Sequence, residues 1–123
     1  MKDPLYDWLE EEVQIVFEFL VANHSFVLSK SASNKNGCWL TYMRNGIGIE
    51  IWTEMGGRPE VDINEDGQRR SLNLFIAKHC PEFKPSFRPP YTGQEGERGD
   101  FKDVLQKYAS ALQKYLQGQS SDR

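Results

Sequence analysis

The chain has 123 residues, 38% of them hydrophobic and 12% aromatic, which suffices for one compact core and is too short for two ordinary domains. A charged fraction of 27%, together with many aromatic and β-branched residues, excludes a disordered chain. The formal net charge of -3 combines -7 over residues 1–66 with +4 over residues 67–123, so charge alone does not favour a nucleic-acid partner.

The first predicted element is an amphipathic helix that begins at Asp3 and Pro4 and ends at residues 22–24. Its apolar residues recur at three- and four-residue steps and form one stripe: Leu5, Trp8, Leu9, Val13, Val16, Phe17 and Leu20. No apolar run approaches the roughly 20 residues that span a bilayer, and the first residues lack the zones of a signal peptide. We therefore expect a cytoplasmic protein with no membrane partner.

Four antiparallel strands are predicted next, over residues 25–31, 38–44, 47–54 and 60–64. The clearest pair is joined by Asn45-Gly46, which suits a two-residue type I′ turn because both positions need positive φ. Turns over residues 33–37 and 55–59 would join the others, and residues 65–67 would close the sheet. The period of two along a strand assigns one set of side chains to the core: Ile47, Ile49, Ile51, Val61 and Ile63.

Two more helices follow the strands. Residues 71–80 alternate in part like a strand, but Ser71 as an N-cap and Pro81 as a stop favour a helix. Residues 81–99 contain four of the six prolines and predict a long irregular loop. The last helix would run from Asp100 to Gly118, and residues 119–123 would form a disordered tail.

These elements predict one α+β domain over residues 1–118. Its order is an N-terminal helix, a four-stranded antiparallel meander over about residues 26–64, a short helix, a long loop and a C-terminal helix. The helices are expected to pack on one face of the sheet, because both long helices carry an apolar stripe that must be buried.

The residues that most often carry chemistry do not form a recognisable motif. His24, Cys38, His79 and Cys80 lack the spacing of a zinc site, and neither cysteine lies in a nucleophile motif. Two thiols in such a chain are typically reduced and buried. We therefore predict no catalytic residue, no metal site and no cofactor, and we leave open whether the protein is an enzyme.

The acids of the third and fourth strands form the leading candidate site. Glu50 and Glu54 share a strand face with Trp52, and the next strand brings Glu60 and Asp62 alongside. Such a face can simply be the solvated side of a sheet, but tryptophan is enriched at binding hot spots. We predict that these five residues bind a basic protein partner of unknown identity, without enzymatic activity.

An alternative site uses the loop after residue 81. This loop could close a pocket over the sheet with three aromatic rings and one cation: Phe83, Phe87, Tyr91 and Arg88. In that pocket Arg88 would bind an anion, and Glu50 or Glu54 would act as a base. This alternative predicts an enzyme or a small-ligand domain. The same basic and aromatic segment could track single-stranded nucleic acid, but it contains no RNA-binding motif, so nucleic acid is not an expected partner.

In size and composition the chain is similar in kind to bacterial immunity and antitoxin-like proteins, which are also small, acidic and free of catalytic motifs. That resemblance implies a protein that binds and blocks a partner. It rests on no sequence motif, and it therefore assigns no residue.

Overall fold

The computed structural model describes residues 4–54, 57–83 and 98–121. Over these residues the chain forms the predicted α+β architecture, with one strand more than expected. The elements in chain order are α1 (Pro4–Val16), α2 (Glu18–His24), β1 (Val27–Asn34), β2 (Gly37–Arg44), β3 (Ile47–Glu54), β4 (Glu60–Glu65), β5 (Gln68–Ser71), α3 (Leu72–His79) and α4 (Arg98–Ser121).

The strands of the described residues form one antiparallel sheet in the order β1-β2-β3-β4-β5. The hairpin at Asn45-Gly46 is confirmed, and both residues have positive φ, 39° and 85°. Asp66 and Gly67 make a similar turn, with φ of 55° and 78°. The prediction that residues 65–67 end the sheet is therefore wrong, because this turn leads into β5. The sequence of β5 is Gln-Arg-Arg-Ser, whose lack of apolar residues gave no strand signal.

The first strand lies two to three residues later than predicted. Ser25 is the C-cap of α2, with a left-handed φ of 62°, so the strand cannot begin there. At its other end β1 continues to Asn34, because the hydroxyls of Ser31 and Ser33 donate hydrogen bonds to the carboxylate of Glu10 on α1. The polar end of β1 is thus stabilised by hydrogen bonds to α1 and not by burial of apolar side chains.

The predicted first helix is divided at Phe17, which leaves helical geometry with φ of -101° and ψ of 17°. The N–H of Phe17 still donates to the carbonyl of Val13 at 2.9 Å, while the N–H of Leu20 turns to the carbonyl of Phe17 at 3.0 Å. This tightened turn separates α1 from α2. Both Phe17 and Leu20 remain fully buried.

The later helices are found where they were predicted. Ser71 caps α3, and its hydroxyl accepts the N–H of Asn73 at 3.1 Å. The last helix, α4, begins two residues before Asp100, and its backbone stays helical through Ser121, past Gly118. Residues 122–123 of the predicted tail lie outside the described residues. So do residues 84–97 of the predicted loop and residues 55–56 of the predicted turn.

The core lies between the helices and one face of the sheet, as predicted. Ile49 and Ile51 at its centre are at most 1% exposed, and α1 and α4 pack against each other above this face. The largest fully buried side chains come from the sheet, the helices and the short connections between them: Phe17, Phe26, Tyr42, Phe101 and Tyr108. In the described part of the chain every helix contributes to this side, which leaves the opposite face of the sheet without a helical cover.

Candidate functional site

We call the face of the sheet opposite the core the outer sheet face. The strand register fixes which of its side chains are neighbours. One row across β2, β3 and β4 is Trp39, Trp52 and Glu60; the next is Thr41, Glu50 and Asp62; the third is Met43, Gly48 and Asn64. Four of the five predicted partner-binding residues therefore lie in these rows, and Glu54 lies at the end of β3 on the same face.

Two tryptophans lie side by side on this face. Trp39 is the direct cross-strand partner of Trp52, and both are half-buried. The indole N–H of Trp39 donates to Glu54 Oε2 at 2.8 Å, and that of Trp52 donates to Asp62 Oδ2 at 2.9 Å. Each ring is thus fixed by one carboxylate, which also keeps a negative charge beside the aromatic surface.

Trp39 was not among the predicted site residues, although the sequence contains a signal for its position. A two-residue hairpin loop at Asn45-Gly46 sets the register of the whole β2–β3 pair. Counting outward from that turn places Trp39 opposite Trp52. The tryptophan pair was therefore predictable from the turn that had already been recognised.

The second row is crossed by a cation that was not predicted. Arg69 on β5 donates to Asp62 Oδ2 through Nε at 3.0 Å and Nη2 at 2.7 Å, and through Nη2 to Glu50 Oε1 at 2.6 Å. The hydrogen bond with Asp62, aided by the charge of Glu50, raises the pKa of the Arg69 guanidinium, although partial burial opposes this. Glu50 and Asp62 are consequently tied together and part of their charge is balanced.

Glu60 is placed apart from the other four predicted residues. Its carboxylate turns toward the helices, where its oxygens lie 3.2 Å from the Tyr108 hydroxyl, 3.1 Å from Asn73 Nδ2 and 3.5 Å from Arg58 Nη2. Burial, followed by the charge of Glu60, raises the pKa of the Tyr108 hydroxyl, which therefore remains protonated. This network joins β4, α3 and α4.

A shallow depression of about 200 Å³ lies across the second and third rows of the outer sheet face. Gly48 forms part of its floor, and a Cβ atom at this position would approach Met43 Sδ to 3.0 Å. The absence of a side chain thus opens the depression between Met43 and Asn64. Its polar wall consists of Glu50, Asp62 and Arg69.

The residues of the alternative site are described only in part. Phe83 is half-buried and its ring packs on Tyr108, with 4.9 Å between centroids. It therefore lies with the Tyr108 network and not on the outer sheet face. Phe87, Arg88 and Tyr91 lie outside the described residues. The pocket that these residues would form stays a prediction.

The cysteines are free and buried. Burial, aided by the charge of Glu10, raises the pKa of the Cys38 thiol to about 12, so Cys38 is a thiol and not a nucleophilic thiolate at neutral pH. Within residues 4–54, 57–83 and 98–121, no group of three or more His, Cys, Asp or Glu side chains is arranged to hold a metal ion.

Over the described residues the chain is an α+β antiparallel meander with helices on one sheet face and no helix on the other. No protein-family model, no curated protein and no solved structure matches this chain. In the part of the chain that the structure describes, no helix is both long and apolar enough to cross a lipid bilayer.

Proposed function

We propose that this protein is a non-enzymatic interaction protein that binds a protein partner carrying a basic segment. Its binding surface is the outer sheet face around Trp39, Trp52, Glu50, Glu54 and Asp62. The observation that carries the proposal is the tryptophan pair, in which each indole is held by a carboxylate. Blocking of the partner, as in immunity and antitoxin-like proteins, is the role that this surface would serve.

The tryptophan pair supports a binding role for an energetic reason. Tryptophan presents a large area and few rotatable bonds, so it gains contact energy while little side-chain entropy is lost. The hydrogen bonds to Glu54 and Asp62 restrict the two rings before any partner arrives. Such preorganisation reduces the entropic cost of association.

The chemistry of the surface favours a cationic partner. Indole faces attract lysine and arginine side chains through cation–π interactions, more strongly where water is displaced. Around the two rings, the three carboxylates of Glu50, Glu54 and Asp62 exceed the one guanidinium of Arg69 by two negative charges. A net charge of -7 over residues 1–66 adds longer-range attraction to a basic partner.

The first test is a pull-down from native cell lysate at low and moderate salt, with three baits. They are the wild-type chain, a Trp39→Ala/Trp52→Ala variant, and an Ile15→Ala/Val21→Ala control. Ile15 and Val21 are exposed apolar residues away from the sheet, at 68% and 43% exposure, so the control also removes two apolar side chains. We expect one basic protein at near-stoichiometric amount on the wild-type and control baits, reduced by salt and by the tryptophan substitutions.

The retained protein is then purified and titrated against each variant. Loss of both indoles should weaken binding by about 30-fold or more, which corresponds to at least one hot-spot residue. Tryptophan emission reports the contact directly if Trp8, which lies on α1 below the Arg98 guanidinium, is first changed to Phe. Equal affinity of the wild-type and double-variant chains, with both folded, would show that the outer sheet face is not the binding surface.

A further inference from the structure

A second concave surface lies at the β5 edge of the sheet, on the side that carries the helices. It is a groove of about 420 Å³ between the edge strand β5, the end of β4 and the helices α3 and α4. We call it the edge groove. Its volume falls within the range of small-molecule sites, whose ligands are commonly held by an apolar floor and a few polar groups.

One wall of the edge groove is aromatic. The ring of Phe75 packs against His79, with 4.7 Å between centroids, and meets Tyr115 edge-on at 5.3 Å. Leu74 lines the groove and is 64% exposed, although Leu72 and Ile76 of the same helix are buried. This wall offers apolar contact area that the described chain does not bury.

The rim of the edge groove is cationic. Arg70 on β5 hydrogen-bonds only an uncharged group among the described residues, Gln68 Oε1 at 2.7 Å. Lys78 on α3 has no hydrogen bond or ion pair with any described residue. Glu65 is the one carboxylate in the described lining. Among the described residues the rim therefore holds two cations without an ion-pair partner and one acid, whereas Arg69 on the outer sheet face is paired with both Glu50 and Asp62.

From this arrangement we propose that the edge groove binds a small amphipathic anion. Its carboxylate or phosphate head lies between Arg70 and Lys78, and its apolar part lies against Phe75, Tyr115 and Leu74. A guanidinium suits this role because it presents paired donors to two oxygens of a carboxylate or phosphate, while a lysine adds a mobile point charge. The proposal is independent of the partner-binding role of the outer sheet face.

The test uses the full chain and three probes that each contain eight carbon atoms: octanoate, octyl phosphate and octylammonium. Binding is followed by amide chemical shifts in two-dimensional NMR. We expect saturable shifts over residues 68–79 with at least one anion and none with octylammonium. Saturable shifts with only octanoate or only octyl phosphate would identify the preferred head group. Shifts with each of the two anions would identify a site that accepts either head group.

Variants separate the groove from general charge effects. Arg70→Gln/Lys78→Gln should weaken binding of the anion by about tenfold, since each exposed ion pair contributes a modest amount. Lys30→Gln/Lys102→Gln changes the net charge equally at exposed sites elsewhere and should bind like wild type. Leu74→Asp should weaken binding without loss of folding, because this side chain is mostly exposed.

The proposal is overturned by any of three results. These are an absence of saturable shifts with both anions, equal binding of octylammonium, or wild-type affinity in the folded Arg70→Gln/Lys78→Gln variant. The first would leave the groove without a ligand of this class. The second would reduce it to a purely apolar surface, and the third would place the anion elsewhere.

Discussion

Removing the hydroxyl of Tyr108 tests the network that joins the sheet to two helices. Tyr108 is fully buried, and its hydroxyl donates to Asn73 Oδ1 at 2.9 Å. Asn73 Nδ2 in turn donates to Glu60 Oε1 at 3.1 Å, and Arg58 donates to the tyrosine oxygen at 3.3 Å. Tyr108→Phe keeps the ring and deletes only the atom on which these contacts converge.

The magnitude follows from the burial of the groups left behind. Removing one partner of a hydrogen bond, so that a buried acceptor is left without a donor, lowers the free energy of unfolding by about 1–3 kcal/mol. Asn73 and Glu60 are only half-buried and regain some water, so we expect about 1–2 kcal/mol. For 123 residues this corresponds to a fall in Tm of about 4–8 °C.

Urea and thermal unfolding followed by circular dichroism measure the change. Tyr42→Phe is the matched control, since Tyr42 is also buried but its hydroxyl has no hydrogen bond with any described residue. The control should stay within about 0.5 kcal/mol of wild type. If Tyr108→Phe and Tyr42→Phe were equally stable, the network would not hold α3 and α4 to the sheet, and our reasoning would be refuted.

Three further predictions concern stability. Ile49→Asp places a charge at a fully buried site and should lower the free energy of unfolding by several kcal/mol, enough to abolish the thermal transition. If the Ile49→Asp variant melted like wild type, the assignment of the core face would be wrong. The pKa of the Cys38 thiol is raised from 9.0 to about 12 in the folded state, so the thiol ionises first in the unfolded chain. The free energy of unfolding should therefore fall as the pH rises from about 9 to 12, by up to about 1.4 kcal/mol per pH unit. Urea titrations of wild type and Cys38→Ala across that range should show a shallower decline in the variant. Gly37→Ala would bring a Cβ within 2.2 Å of the Thr53 carbonyl oxygen and should cost about 2–3 kcal/mol. Gly118→Ala on α4 meets no atom of the described residues within 4 Å and should be neutral or stabilise by up to about 1 kcal/mol, as thermal melts would show.

Local signals predicted the parts of the fold that depend on local physics. The positive φ at Asn45-Gly46 required residues that tolerate it, the alternation in β3 marked the core face, and Ser71 marked the start of α3. Each of these features is set by residues within a few positions of one another. The α+β order could therefore be derived from them.

The rest depended on contacts between distant residues. The strand β5 has no apolar pattern and is defined by its pairing with β4, so Arg69 could not be placed over Glu50 and Asp62. Glu60 shares a row with Trp52 by register, yet its carboxylate turns to Tyr108, 48 positions away in the chain. Alternation along a strand predicts the sheet face from which a side chain emerges. It does not predict the position of the terminal group of a long side chain.

The order of the strands has a consequence for how the chain acquires its structure. Each strand of the described sheet pairs with its neighbour in sequence, so hairpins can close over short loops on a microsecond timescale. The core, however, needs α1 and α4 from opposite ends of the chain, where Glu12 and Lys102 approach to 3.8 Å. Closing so long a loop is entropically the costlier step. During synthesis the sheet, α1 and α3 can therefore assemble before α4 is available. A nascent chain stalled before residue 98 would lack the apolar side chains of α4, leave part of its core exposed to water and depend on a chaperone until the final helix emerges.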